Sequence, residues 1–106
     1  MKTAIAIALT LISMTVVAEE EVAPLQFCTV VSSLAENIME ARQNGVSMVR
    51  SMQIASESGE EIKDMVVSLV QMAYDQPRYS TESVKRRAIS NFADTAMSGC
   101  LKSVGD

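Results

Sequence analysis

The sequence predicts an all-α fold, a small bundle of about four short helices closed by one disulfide. Three observations carry that expectation. Strand signals are absent: no β-branched run alternates with polar residues, and the Asn44-Gly45 pair falls between helical patterns. Apolar residues instead recur with the 3.6-residue period of a helix in four separate stretches. Two cysteines, Cys28 and Cys100, stand near opposite ends of the helical region.

The N-terminus reads as an export signal. Met1-Lys2-Thr3 is a positive start, Ala4–Val17 is an uncharged apolar run, and Val16-Val17-Ala18 precedes Glu19-Glu20-Glu21. This is the three-part layout of a cleaved secretory signal. The apolar run falls short of the ~20 residues that span a bilayer, and Leu25-Gln26-Phe27 before Cys28 is not a lipobox. The expected organisation is a cleaved signal peptide at 1–18, an acidic flexible N-terminus at 19–24, a helical domain at 25–101 and a flexible tail at 102–106. No stable membrane insertion is expected after cleavage.

The first helix is expected to start at Pro24, which suits a first-turn position, and to run to about Gln43. Phe27, Val31, Leu34 and Ile38 form its stripe, flanked by Cys28, Ala35 and Met39. Asn44-Gly45 supplies a left-handed stop. The second helix, roughly Val46 to Ser56, places Met48, Val49, Met52 and Ala55 on one side, and Ser56-Glu57-Ser58-Gly59 reads as a turn. A third begins near Glu60 and carries Ile62, Met65, Val66, Leu69, Val70 and Ala73. Its opening acids Glu60, Glu61 and Asp64 favour the positive end of the helix dipole, and Asp75-Gln76-Pro77 ends it. The fourth is announced by Ser80-Thr81-Glu82 and carries Ile89, Phe92, Ala93, Ala96 and Cys100, with Gly99 loosening its end.

Composition excludes whole classes of chemistry. The 106 residues contain no histidine, which removes Ser-His and Cys-His nucleophile pairs and every histidine metal site. Net charge is −4, and −5 once Lys2 leaves with the signal. No general basic field exists to attract nucleic acid or anionic lipid. Exposed acid pairs such as Glu36/Glu40 and Glu60/Asp64 have no pocket or metal motif to make them catalysts.

Export and an even cysteine count favour a Cys28–Cys100 disulfide. The Cys-x-x-Cys spacing of a redox pair is absent. Closing a loop of this length stabilises by roughly 4 kcal/mol on the chain-entropy model. The bond also predicts that the first and fourth helices run antiparallel and adjacent. Met48 and Met52 stand i, i+4 as thioether ligands would, but the plainer reading is methionine filling a core short of aromatics.

Two segments are candidates for a partner surface. One is the helix end Arg42-Gln43, where the dipole alone accounts for Arg42. The other is Tyr74-Asp75-Gln76-Pro77-Arg78-Tyr79, where two of the four aromatics flank an acid, a proline and an arginine. The candidate residues are Arg42, Gln43, Tyr74, Asp75, Pro77, Arg78 and Tyr79. The plainer reading is that both rings cap the core while Asp75 and Arg78 tie the corner. Lys85-Arg86-Arg87 with Arg78 makes a local basic patch, which Glu57, Glu60, Glu61 and Asp64 are placed to neutralise across a helix pair.

The export signal, Cys28, Ala41-Arg42-Gln43-x-Gly45, Ala73-Tyr74-x-x-Pro77-x-Tyr79 and Cys100 together resemble a family of small exported, two-cysteine helical proteins of bacteria and phages. The resemblance covers nearly the whole mature chain and implies no activity, so it assigns no catalytic residue. In layout alone the chain is also similar to periplasmic acid-stress chaperones of the HdeA type. The expected function is non-catalytic, without a cofactor: a periplasmic or secreted bacterial protein that binds another periplasmic or envelope protein, and no nucleic acid. The alternatives are a stress chaperone that exposes Met/Val-rich faces, or a phage-encoded effector of lysis or superinfection.

Overall fold

The computed structural model describes residues 10–105, with side chains described from 23 to 104. Helix α1 spans Thr10–Gln43, α2 Met48–Ser56, α3 Lys63–Tyr74 and α4 Glu82–Gly105. No strand occurs among the described residues. The helices run up, down, up and down. Cys28 is bonded to Cys100 with a Cα–Cα distance of 5.6 Å, and the Ser32 hydroxyl donates to the Ala93 carbonyl at 3.2 Å. At the far end Gln43 meets Tyr79, just ahead of α4. Helices α1 and α4 are thus adjacent and antiparallel, as the disulfide predicts.

Two apolar clusters hold the bundle. Val31, Ala35 and Met39 of α1 pack with Leu69 and Ala73 of α3 and Phe92 of α4. Ala55 of α2 packs with Val66 and Val70 of α3, with Leu34 and Ile38 of α1 against them. Helix α2 is therefore held mainly by α3 and touches α1 little. An apolar cleft of about 250 Å³ lies between them, lined in part by Ile38, Ile54 and Val70.

Several expectations shift in detail. Two of the four helices are long: α1 has 34 residues and α4 has 24. Helix α1 reaches back to Thr10, so Pro24 lies inside it rather than in its first turn. A proline there removes one N–H donor from the ladder, and the cost falls near the exposed end of the bundle. Of the export-signal reading, residues 1–9 lie outside the described residues and 10–18 form the start of α1. Segment 19–24, read as a flexible N-terminus, is also helical. No described helix is long and apolar enough to cross a membrane.

The buried stripe of α1 is rotated toward Cys28, Ala35 and Met39, all fully buried, while Phe27 is 44% exposed. The disulfide and the small Ala35 bring α4 in close on that side, which leaves Phe27 at the rim. Helix α3 starts at Lys63, because Gly59 accepts from the Ile62 and Lys63 amides and holds residues 60–62 as a turn. Asp64 alone of the three acids lies in its first turn. Gly99 does not loosen α4, and Lys102–Gly105 is helical rather than a ragged tail. The bond at Cys100 holds the backbone past the glycine, and Lys102 suits the last turn. In α2 the buried residues are Ser51 and Ala55. Met48 and Val49 face out.

Candidate functional site

Helices α1 and α3 end, and α2 and α4 begin, at one pole of the bundle. The chain there turns twice, at 44–47 and at 75–81, and both turns are tied to the last residues of α1. Gly45 has φ +86, the left-handed stop that Asn44-Gly45 announces. The Val46 amide then donates to the Ala41 carbonyl at 3.0 Å. Ser47 caps α2 by accepting from the Arg50 amide at 3.2 Å, a cap that the reading of Val46 as a helix start overlooked.

Gln43 is the centre of the corner. Its side chain is fully buried, and every polar atom of it is used. Nε2 donates to the Pro77 carbonyl at 2.9 Å and approaches the Met39 sulfur at 3.6 Å. Oε1 accepts from the Tyr79 amide at 2.8 Å. One primary amide thereby satisfies an acceptor and a donor of the 75–81 loop, which has no secondary structure to satisfy them.

The arginines on either side complete the lock. Arg42 Nε donates to the Gln76 carbonyl at 3.0 Å, and its guanidinium lies 5.2 Å from the centroid of the Tyr74 ring. The dipole of α1 is therefore not the whole account of Arg42, whose hydrogen-bond partner is the neighbouring loop. Arg78 Nε returns the contact by donating to the Gln43 carbonyl at 3.1 Å. Its guanidinium lies across Gly45, where a Cβ would meet Arg78 Nη2 at 2.9 Å. Tyr74 ties the 44–47 turn: its hydroxyl donates to the Val46 carbonyl at 2.8 Å and pairs with Ser51 Oγ at 2.9 Å.

The candidate residues thus converge, and they divide into two groups. Gln43 is buried, Arg42 and Tyr74 are half-buried, and all three make contacts within the protein. Asp75, Pro77 and Arg78 are exposed and Tyr79 is half-exposed, so these four form the outer surface of the corner. Arg78 belongs to both groups. Tyr79 is anchored through its backbone amide. Asp75 is the C-cap of α3, with its amide donating to the Gln71 carbonyl.

Gly45 and Ser51 were missed as members of this corner, Gly45 being read only as a helix stop. Ser51 stands four residues before Ala55 on the buried face of α2. A small-residue pair at i, i+4 signals close helix approach; of the expected side, Ala55 is buried and Met52 packs against the core, while Met48 and Val49 face out. Those two methionines line a shallow apolar pocket with Val49, Gln53 and Ser56. No group of three metal-ligating His, Cys, Asp or Glu residues occurs among the described residues.

The basic patch is not neutralised as expected. Helices α3 and α4 are antiparallel, so the acids Glu57, Glu60 and Glu61 of the α2–α3 turn and Asp64 at the start of α3 lie away from Lys85, Arg86 and Arg87 at the start of α4. Beside that patch, Gln76, Tyr79, Val84, Arg87, Ala88 and Asn91 line a cleft of about 260 Å³. No family model, curated protein or solved structure matches this chain.

Proposed function

We propose that this is an exported, non-catalytic protein of the bacterial periplasm that docks another envelope protein on the outer surface of the corner. The observation that supports the reading is the construction of the 75–81 loop. Its backbone is held by the Arg42 and Gln43 side chains of α1, and the loop's own Arg78 donates back to the Gln43 carbonyl, so Asp75, Pro77, Arg78 and Tyr79 are presented on an ordered frame. A surface that is ordered before binding loses less conformational entropy on association. The residues that carry the resemblance to small exported two-cysteine proteins, Ala41-Arg42-Gln43-x-Gly45 and Ala73-Tyr74-x-x-Pro77-x-Tyr79, are the residues that build this frame.

Partner capture from periplasm with the disulfide intact tests it, comparing the parent protein with Asp75→Ala and Tyr79→Ala. Arg78→Ala is unsuitable alone, because Arg78 also holds Gln43 and covers Gly45. A docking role predicts loss of a specific partner from both variants while the melting temperature stays within a few degrees. Capture that is unchanged in both removes the corner from the functional account.

A stress-chaperone reading has one observation in its favour. Helix α2 is weakly held against α1, over the apolar cleft, and exposes Met48, Val49 and Ile54. The buried polar residues among those described are Gln43 and Ser51, neither of which titrates. Among the described residues an acid trigger would therefore have no buried carboxylate to act through. Dye binding that rises on acidification while the disulfide stays intact would favour the chaperone.

A further inference from the structure

We propose that the partner surface recognises an acidic segment of another protein, one carboxylate of which sits in the cleft between the 75–81 loop and the first turns of α4. This deepens the docking reading and rests on it. The first observation is the sorting of charge by topology. Arg42, Arg50, Arg78, Lys85, Arg86 and Arg87 all lie at the pole where α1 and α3 end and α2 and α4 begin, with Glu40, Asp75 and Glu82 as the acids there. The whole chain carries −4, so this pole is positive on a molecule that is otherwise negative.

The second observation is the cleft itself. Its lining residues are Arg87, whose side chain carries a guanidinium, Gln76, Asn91 and Tyr79, which carry amides and a phenol, and the apolar Val84 and Ala88. Guanidinium presents a planar pair of donors that matches a carboxylate, and the amides and phenol add donors around it. At about 260 Å³ the cleft admits one acidic side chain. A flat bilayer surface does not enter a concavity of that size. A long polyanion would run past the positive pole onto the acids of the α2–α3 turn, where like charge repels it.

The test is an NMR titration of the ¹⁵N-labelled, disulfide-bonded protein with acetylated hexaglutamate at low and physiological salt. Hexalysine and phosphatidylglycerol vesicles serve as comparison probes. The expected result is saturable shifts confined to residues 76–91, weakened by salt. Arg87→Glu should weaken binding at least tenfold, while Lys102→Glu, an equal charge change at the other end of α4, should leave it within twofold. Arg87→Gln gives the same comparison if the reversal disturbs helicity. Absence of shifts, equal losses in both reversals, or binding to the vesicles without binding to hexaglutamate overturns the proposal. Partner capture separates the two levels. Loss of capture in Tyr79→Ala but not in Arg87→Glu overturns the acidic-segment inference and leaves docking at the corner standing. Unchanged capture in every corner variant removes both.

Discussion

At one end of the α1–α4 pair a disulfide joins Cys28 to Cys100; at the other, Gln43 and Arg78 tie the chain by hydrogen bonds to backbone groups. The surroundings of the two ties differ as much as their chemistry. Around the disulfide, Leu25, Phe27, Val30, Leu101 and Val104 are exposed. A groove of about 460 Å³ runs past Phe27, Met72, Cys100 and Val104. At the corner the polar atoms of a fully buried glutamine are all satisfied, and a guanidinium fills the space over Gly45. The covalent bond stands at an end where several apolar side chains are left exposed. The polar lock stands where two turns must be ordered at once.

The two ties also act on different states of the chain. A disulfide stabilises largely by restricting the unfolded ensemble. A buried hydrogen-bonded amide stabilises only while its partners are in place, and leaves them unsatisfied when it is removed. The first is therefore tolerant of local looseness, and the second is not.

Breaking the covalent tie gives the largest effect. Cys100→Ser is expected to cost about 2–5 kcal/mol. For a domain of this size each kcal/mol lowers the melting temperature by about 4–8 °C. Hydrogen exchange should then show the loss unevenly, with early opening of the Cys28 and Cys100 ends and later opening of the amides around Gln43. Uniform loss across both ends would show that the two ties form one cooperative unit. A thiol assay on the untreated protein checks the premise, since it should find no reactive thiol.

Breaking the polar tie comes next. Gln43→Leu keeps bulk in the buried site but leaves the Tyr79 amide and the Pro77 carbonyl without partners. Each unsatisfied group costs about 1–3 kcal/mol when fully buried; Pro77 is exposed and Tyr79 half-exposed, so water offsets part of it and a loss of roughly 2–4 kcal/mol is expected. Exchange should accelerate at 75–81 and not around Cys28. Because the sites are far apart, the costs of Gln43→Leu and Cys100→Ser should add to within about 0.5 kcal/mol. A larger departure would mean that α1 transmits strain between its ends.

The covalent end was legible in the sequence because two cysteines permit only one intramolecular partnership. The α3 and α4 stripes were legible for a similar reason: Val66, Leu69, Val70 and Ala73, and Phe92 and Ala93, are apolar and buried together. Periodicity misplaced the α1 face by about one position, since Phe27 outweighs Cys28 on any hydrophobic count although the smaller side chain lies at the contact. It found Ala55 and Met52 on α2 but missed Ser51, which is polar and yet buried, satisfied by a tyrosine 23 residues away. The corner was legible only as a collection of unusual residues. Gln43 and Tyr79 are 36 positions apart, and no local pattern states that a glutamine side chain will complete a distant loop's backbone.

The smallest effect sharpens the comparison most, because it divides the corner's conformational contribution from its contact contribution. Gly45→Ala puts a Cβ on a residue at φ +86 and within 2.9 Å of Arg78 Nη2. An L-residue in the left-handed region costs about 1–2 kcal/mol. The guanidinium end is flexible, but its Nε is engaged by the Gln43 carbonyl, so displacing it weakens that bond as well. The single variant should lose about 1–2 kcal/mol from the backbone and a further fraction from Arg78. Combining it with Arg78→Ala isolates the second part: once the guanidinium is gone the Cβ has nothing to strike, and Gly45→Ala should cost only its backbone share. Chemical denaturation of the four members of that cycle measures the difference. A coupling near zero would mean that Arg78 lies over Gly45 without bearing on the turn, leaving Gln43, Arg42 and Tyr74 to hold the corner.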